Sequence, residues 1–444
     1  MISARGVTRM PVVAAVVMLA VGGAAFGQTH APWPTNWNNW NDPALWVTVG
    51  NPDNAGKWYG HNYGGSGTDR ICGAVGYFYN IGKYEVTAGQ YTPFLNAVAK
   101  TDTYGLYSTS MDTAVESHGC NIKRAGSSGD YTYSVASDWA NRPVNNVSWG
   151  DAARFANWLT NGQPTGAQNA STTEDGSYYL NGATSAGALI AVTRKTVPQG
   201  GRYYIPTQNE WHKAAYYDAN KPGGAGYWDY ATSSNTTPGR DMADASGNNA
   251  NYYTGTGLMN PIDSGKYTTV AGEFQNSDSH YGTFDQSGNV FEWNETTPYQ
   301  SNRGLRGGPF DYNANELHAR NWGYTDPTNQ NDHLGFRVAE VPDPATISLL
   351  ALGGAALVAR RRGRKLRPVS RAFPPAKRGL ASAFRPRWRR EHPLAPCSSS
   401  SPPGRTIEPS AAVGISAPDA RLGELADEEG KGVRRAYPDL KGRG

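Results

Sequence analysis

The chain has 444 residues with 41 Lys and Arg against 37 Asp and Glu, a formal net charge of +4, and 11% aromatic residues. That balance hides a division: 20 of the basic residues but only 8 of the acidic ones lie from Arg360 onward, so this end carries +12 and the body before it −8. An acidic body excludes nucleic-acid binding through phosphate contacts, and three cysteines, Cys72, Cys120 and Cys397, exclude a disulfide framework or a Cys-based metal cage while leaving a Cys72 to Cys120 bridge open.

At the amino terminus Arg5 and Arg9 precede an apolar run over residues 11–26, and the small residues Ala25 and Gly27 flank a cleavage point before Gln28. Residues 1–27 read as a secretory signal, so the mature chain starts near Gln28 in an exported protein. Residues 28–76 read as an extension of the folded body, and no Pro-rich or charged linker divides 28–341, which predicts a single domain.

Three helices announce their own starts. In residues 81–98, IGKYEVTAGQYTPFLNAV, Thr87 and Gln90 make a capping box ahead of Tyr91, Leu95 and Val98, although Pro93 allows a later start at Thr92. Ser148 and Asp151 cap a segment whose Ala152, Phe155, Ala156 and Leu159 recur at helical spacing. Thr207 and Glu210 form a third capping box before Trp211, Ala214 and Ala215, and His212 on that helix reads as solvent-facing.

Gly- and Asn-rich loops follow, then GTFDQSGNVFEW at 282–293, LRGGPFDYNANELHARNW at 305–322 and HLGFRVAEV at 333–341. Arg306, Arg320 and Arg337 read as partners of buried carboxylates and carbonyls rather than as an anion site. After Pro342 and Pro344 comes a short apolar stretch, 346–359, closed by Arg360 to Arg362. Residues 342–362 resemble the PEP-CTERM sorting signal of bacterial surface proteins, with Asp343 in place of the usual glutamate. That resemblance implies transient membrane anchoring through 346–359, processing by an exosortase-type enzyme, and a cell-surface or extracellular-matrix location. Residues 363–444 are basic, rich in Pro, Arg, Ser and Ala, without a sustained apolar period, and read as disordered.

Six blocks over 77–341 stand in a recognisable order: the Glu-Val-Thr helix start, Pro-Val-x-x-Val-Ser-Trp, Pro-Thr-x-x-Glu-Trp, Gly-Asn-Val-x-Glu-Trp, Arg-Gly-Gly and Gly-Phe-Arg. They resemble the formylglycine-generating, or sulfatase-modifying factor, enzyme family. The resemblance implies an α+β, loop-rich sulfatase-modifying-factor fold related to C-type lectin domains, with structural calcium. Carried over, one calcium site takes the side chains of Asp285 and Glu292 and the carbonyls of Gly288 and Val290. A second takes Asn251 and the Tyr252 carbonyl, with Asp263 as a further candidate.

Family enzymes oxidise a substrate cysteine using copper held by two cysteines shortly after Arg-Gly-Gly. Here those positions are Tyr312 and Leu317, and the block contains no cysteine, so copper is not expected and no catalytic residue is assigned. The eight histidines make no HExxH pair, and no phosphate loop or nucleophile elbow occurs. The expectation is a non-catalytic module that binds a glycan or peptide through Asp311, Tyr312, Asn313, Asn315, His318, Arg320 and Trp322, or acts structurally. The alternative is a formylglycine-generating-type oxidoreductase or a variant of one.

Overall fold

A computed structural model describes residue 36 and residues 38–60, 70–114, 117–255, 261–263, 265–298 and 301–341. The signal-like residues 1–27, the sorting-like segment 342–362 and the basic tail lie outside the described residues. Those described all fall in one compact unit, Met1–Arg367; the second unit, Pro368–Gly444, lies outside them.

The first half contains β1 (Trp46–Val49), β2 (Lys57–Tyr59), β3 (Arg70–Cys72), β4 (Tyr79–Gly82), α1 (Ala88–Val98), β5 (Ile122–Ala125), β6 (Thr132–Val135), α2 (Trp149–Thr160) and α3 (Ala186–Ala191). The second contains β7 (Tyr203–Tyr204), α4 (Gln208–Tyr216), β8 (Tyr217–Asp218), β9 (Gly226–Tyr227), β10 (Phe291–Trp293), β11 (Arg303–Arg306), β12 (Gly323–Thr325), β13 (Leu334–Gly335) and β14 (Ala339–Glu340). Helices and short strands alternate with long loops, which makes the architecture mixed and loop-rich.

All three capping boxes form. Thr87 Oγ1 accepts from the Gln90 N–H at 3.2 Å while Gln90 Oε1 accepts from the Thr87 N–H at 2.9 Å. Pro93 therefore sits inside α1 rather than at its start. Proline leaves the carbonyl four residues back without a helical donor, yet α1 holds, fixed by the cap and by Tyr91, Phe94 and Leu95, all buried. Ser148 with Asp151, and Thr207 with Glu210, repeat the reciprocal cap at α2 and α4.

Two four-stranded sheets organise the rest. One runs β1-β4-β14-β7, antiparallel throughout, with Ala339 facing Ile81 on one side and Tyr204 on the other. The second runs β12-β11-β10-β13; its β10 to β13 pairing is parallel, with Phe291 opposite Leu334. Between helices the core is aromatic: the Phe155 ring lies 5.2 Å from Phe94, 5.4 Å from Phe336, 5.7 Å from Trp40 and 5.8 Å from Tyr91.

One expectation fails on α4. His212 is fully buried, its ring packed on Tyr59, Tyr216 and Tyr227, because the β2-β3 ribbon and the 317–321 segment cover the face that the sequence left open. Burial first, then Arg306, pushes its imidazole well below the usual histidine range, so it is neutral.

Candidate functional site

The second sheet presents the candidate block. After β11 the chain turns through Gly307 and Gly308, both at positive φ; at Gly308 an added Cβ would stand 2.9 Å from the Glu316 backbone. The loop that follows folds back on itself there, and glycine is what allows it.

Tyr312 lies at the near end of this loop. Its ring is 38% exposed and packs edge-on against Phe291 at 5.5 Å and tilted over His333 at 5.9 Å. The Tyr312 carbonyl accepts from the Tyr253 N–H at 2.7 Å, which ties the loop to the 251–253 segment. Beneath the ring, Asp332 joins two histidines: its Oδ2 meets His118 Nδ1 at 2.8 Å and its Oδ1 meets His333 Nδ1 at 3.2 Å. Burial works to raise the Asp332 carboxyl, and these two hydrogen bonds more than reverse it, holding it below the usual carboxylate range. Asp311 Oδ2 stands 4.0 Å from His333 Nδ1, while its buried Oδ1 accepts no hydrogen bond from the described residues. Burial, only partly offset by His333, raises this second carboxyl.

The other predicted residues follow along the loop. Asn313 and Asn315 are exposed, with Asn313 Oδ1 accepting from the Asn315 N–H at 3.0 Å. His318 packs on Tyr230 at 5.4 Å, and its Nδ1 accepts from the Arg320 N–H at 3.0 Å. Trp322 is 8% exposed beneath the Arg70 guanidinium, 4.8 Å from its ring centre, and Arg70 also donates to the Arg320 carbonyl. The seven residues thus form two clusters, one about Tyr312 and Asp311, the other about His318, Arg320 and Trp322. His118, Asp332 and His333 belong to the first and escaped the sequence reading. His333 opens a block that had been noticed for its Gly-Phe-Arg, but His118 comes from a loop 214 residues before Asp332 and carries no local signal.

The residues at the two family cysteine positions do not fit copper. Leu317 is fully buried under the Tyr216 hydroxyl, and Tyr312 offers a phenol; neither is a soft thiolate ligand. Cys72 and Cys120 are separate free thiols, both buried: Cys72 Sγ takes Gln208 Nε2 at 3.1 Å and Arg306 Nη2 at 3.4 Å, whereas Cys120 lies against the Asn145 carbonyl.

Around the predicted calcium residues the donors are hard oxygens. Partly buried Asp285 accepts from the Gly272 N–H at 2.6 Å, and burial, against that bond and Arg337, pushes its carboxyl up to about 7. A polar cavity of about 10 Å³, the size of a single water or ion, opens beside it between Thr232, Ser277 and Ser287. Glu292 has partners of its own: Arg337 donates Nε to Oε2 and Nη2 to Oε1, each at 2.6 Å, and Trp211 Nε1 donates to Oε2 at 2.8 Å. Gly288, at φ +110°, runs so close to the Asn251 backbone that an added Cβ would stand 2.4 Å from its carbonyl oxygen, and Val290 is fully buried. At the second predicted site, Asn251 Nδ2 donates to the Tyr267 carbonyl and to Asn289 Oδ1, Tyr252 is buried with its hydroxyl on the Pro238 carbonyl, and Asp263 is bound by Arg142. The set around Asp285 suits a hard divalent cation, taken with the fully buried Glu85, whose Oε1 accepts no hydrogen bond from the described residues. Among the described residues no three His, Cys, Asp or Glu side chains converge as a ready-made cage, so such an ion would draw on backbone carbonyl or water oxygens as well.

Arg306 and Arg337 fulfil the structural role read for them. Arg306 donates to the Ala319 and Asn321 carbonyls, and Arg337 adds the Gly82 and Phe284 carbonyls to its carboxylate partner.

No curated protein sequence matches this chain significantly. Among solved structures, CarF is 21% identical, covering 67% of this chain and 98% of its own with a TM-score of 0.39. Treponema denticola variable protein 1 is 17% identical, covering 67% and 95% with a TM-score of 0.39. PvdO from Pseudomonas aeruginosa is 17% identical, covering 67% and 94% with a TM-score of 0.38. The sulfatase-modifying factor enzyme 1-like domain matches residues 75–341, more than half of the sequence, and the chain therefore belongs to that family.

Proposed function

We propose that this protein is an exported, surface-sorted member of its family that has given up cysteine oxidation and binds a glycan through the face around Tyr312. The observation that carries the reading is Tyr312 itself: where family enzymes hold a copper ligand, this chain sets a half-exposed phenol ring on a shelf of Phe291 and His333. An aromatic face of this kind takes the C–H side of a sugar ring, and the adjoining polar groups, Asp311, Asn313 and Asn315, are of the types that take its hydroxyls. Asp332 fixes the shelf by orienting both imidazoles, so the platform is preorganised before any ligand arrives. The second cluster, His318, Arg320 and Trp322, extends the same loop and would serve a longer chain of sugars or a peptide.

Export rests on the signal-like residues 1–27, and surface sorting on the PEP-CTERM-like segment, with an exosortase-type enzyme as the processing partner. No helix of the described residues is long and apolar enough to cross a membrane.

A glycan array with the purified chain and its Tyr312→Ala variant tests the proposal. Selective retention of one sugar class by the parent, lost at least tenfold in the variant, supports it. Equal retention by both, or retention of peptides alone, contradicts it.

A further inference from the structure

Charge is unevenly placed along the candidate block. At the Tyr312 end two carboxylates bear on one imidazole: Asp332 Oδ1 lies 3.2 Å from His333 Nδ1 and Asp311 Oδ2 lies 4.0 Å from it, while Asp332 Oδ2 holds His118 at 2.8 Å. Among the described residues the ion-pair partners of both aspartates are histidines alone. A neutral imidazole supplies a hydrogen-bond donor but no charge, so histidines give the two aspartates no fixed counter-charge. Asp332 has both oxygens on imidazoles, whereas Asp311 is left short: its Oδ1 accepts no hydrogen bond from the described residues, and burial, with Asp332 acting in the same sense against His333, raises its carboxyl. The Asp311 and Asp332 side chains are 14% and 25% exposed, so a ligand laid on the half-exposed Tyr312 ring reaches them from solvent. The cations of the block stand instead with the other cluster, where the Arg70 guanidinium lies 4.8 Å from the Trp322 ring centre and donates to the Arg320 carbonyl.

We propose that the Tyr312 face selects an amino sugar, a hexosamine whose free ammonium sits beside Asp311 while the C–H side of its ring lies on Tyr312. The inference rests on the glycan reading and narrows it. The ammonium brings the counter-charge that the aspartates lack, donates to the Asp311 carboxylate and is attracted by the aromatic face. A uronate or a sulfated sugar would set like charge against the same two carboxylates, and an N-acetylated sugar would leave Asp311 without a cation. Asp332 contributes charge and keeps His333 beneath the ring.

The test offers the purified chain a glucosamine oligomer and its N-acetylated counterpart of equal length, with a lysine-bearing peptide alongside, at a pH at which the amine is protonated, and follows binding by titration calorimetry. The amine-bearing oligomer is expected to bind at least tenfold more tightly than the acetylated one. Asp311→Asn keeps the size and removes the charge, and is expected to bring the two oligomers to within about twofold of each other. Salt gives a second readout on the parent that decides the matter if Asp311→Asn does not fold. Between about 0.01 M and about 1 M salt the screening length shrinks from about 30 Å to about 3 Å, and the preference for the amine-bearing oligomer is expected to shrink with it. Equal binding of the two oligomers by the parent, a preference that ignores salt, or a preference kept by Asp311→Asn overturns the inference and leaves the glycan reading standing. Retention of neither oligomer also overturns it, and retention of the peptide alone overturns the glycan reading with it.

Discussion

Arg337 and Glu292 form a doubly hydrogen-bonded pair in which neither side chain is exposed to solvent. It joins the closing Gly-Phe-Arg block to the Gly-Asn-Val-Phe-Glu-Trp block, and Arg337 extends the link to the Gly82 and Phe284 carbonyls. Removing one partner strands a buried charge. Arg337→Met is therefore expected to lower stability by about 3–5 kcal/mol, read from urea unfolding. Combining it with Glu292→Met should cost less than the sum of the single losses; strict additivity would show that the pair does not act as a unit.

The aromatic centre carries a comparable share of the fold. Phe155→Ala removes a ring in contact with Tyr91, Phe94, Trp158 and Phe336. The expected cost is about 3–5 kcal/mol, measured in the same way, and a loss below about 1 kcal/mol would mean that the site collapses to fill the void.

Helix starts make a smaller, local contribution. Ser148→Ala deletes the acceptor for the Asp151 N–H at the head of α2 and should cost about 1 kcal/mol. Restoring the acceptor with Thr at the same position should recover most of it, a comparison that circular dichroism melts can make.

Glu295 gives the stability a pH signature. Its carboxyl accepts from the Tyr178 hydroxyl at 2.5 Å and lies 3.5 Å from Arg194, yet burial pushes it from 4.5 up to about 7. The folded state keeps a proton that the unfolded chain releases near pH 4.5, so stability contributed by this group falls as pH rises from about 4.5 to about 7 and levels off above. Glu295→Gln should flatten that slope. Its stability relative to the parent should be more favourable at pH 8 than at pH 5, and an equal difference at both would remove Glu295 as the cause.

Much of this architecture was legible in the sequence because its signals are local. Thr87 with Gln90, Ser148 with Asp151 and Thr207 with Glu210 each place an acceptor and a donor three residues apart, and each closed as read. What the sequence could not show was contact between distant segments. The burial of His212 depends on a ribbon more than a hundred residues earlier, and the role of Asp332 depends on His118. The candidate block was found as a stretch of sequence, but its residues divide because the chain dips through the buried Leu317 before it reaches His318. Glu85 was hidden for a related reason: its motif reads as a helix start, and only packing shows that one of its buried carboxylate oxygens has no hydrogen-bond partner among the described residues.

The central claim is that this family member binds where its relatives oxidise. The most direct measurement incubates the purified chain with copper, calcium, oxygen, a reductant and a sulfatase-type cysteine peptide, and follows the peptide mass. The account predicts an unchanged peptide while a cysteine-bearing family enzyme converts it in parallel. Appearance of the aldehyde would contradict the account and require a copper site that Tyr312 and Leu317 do not provide.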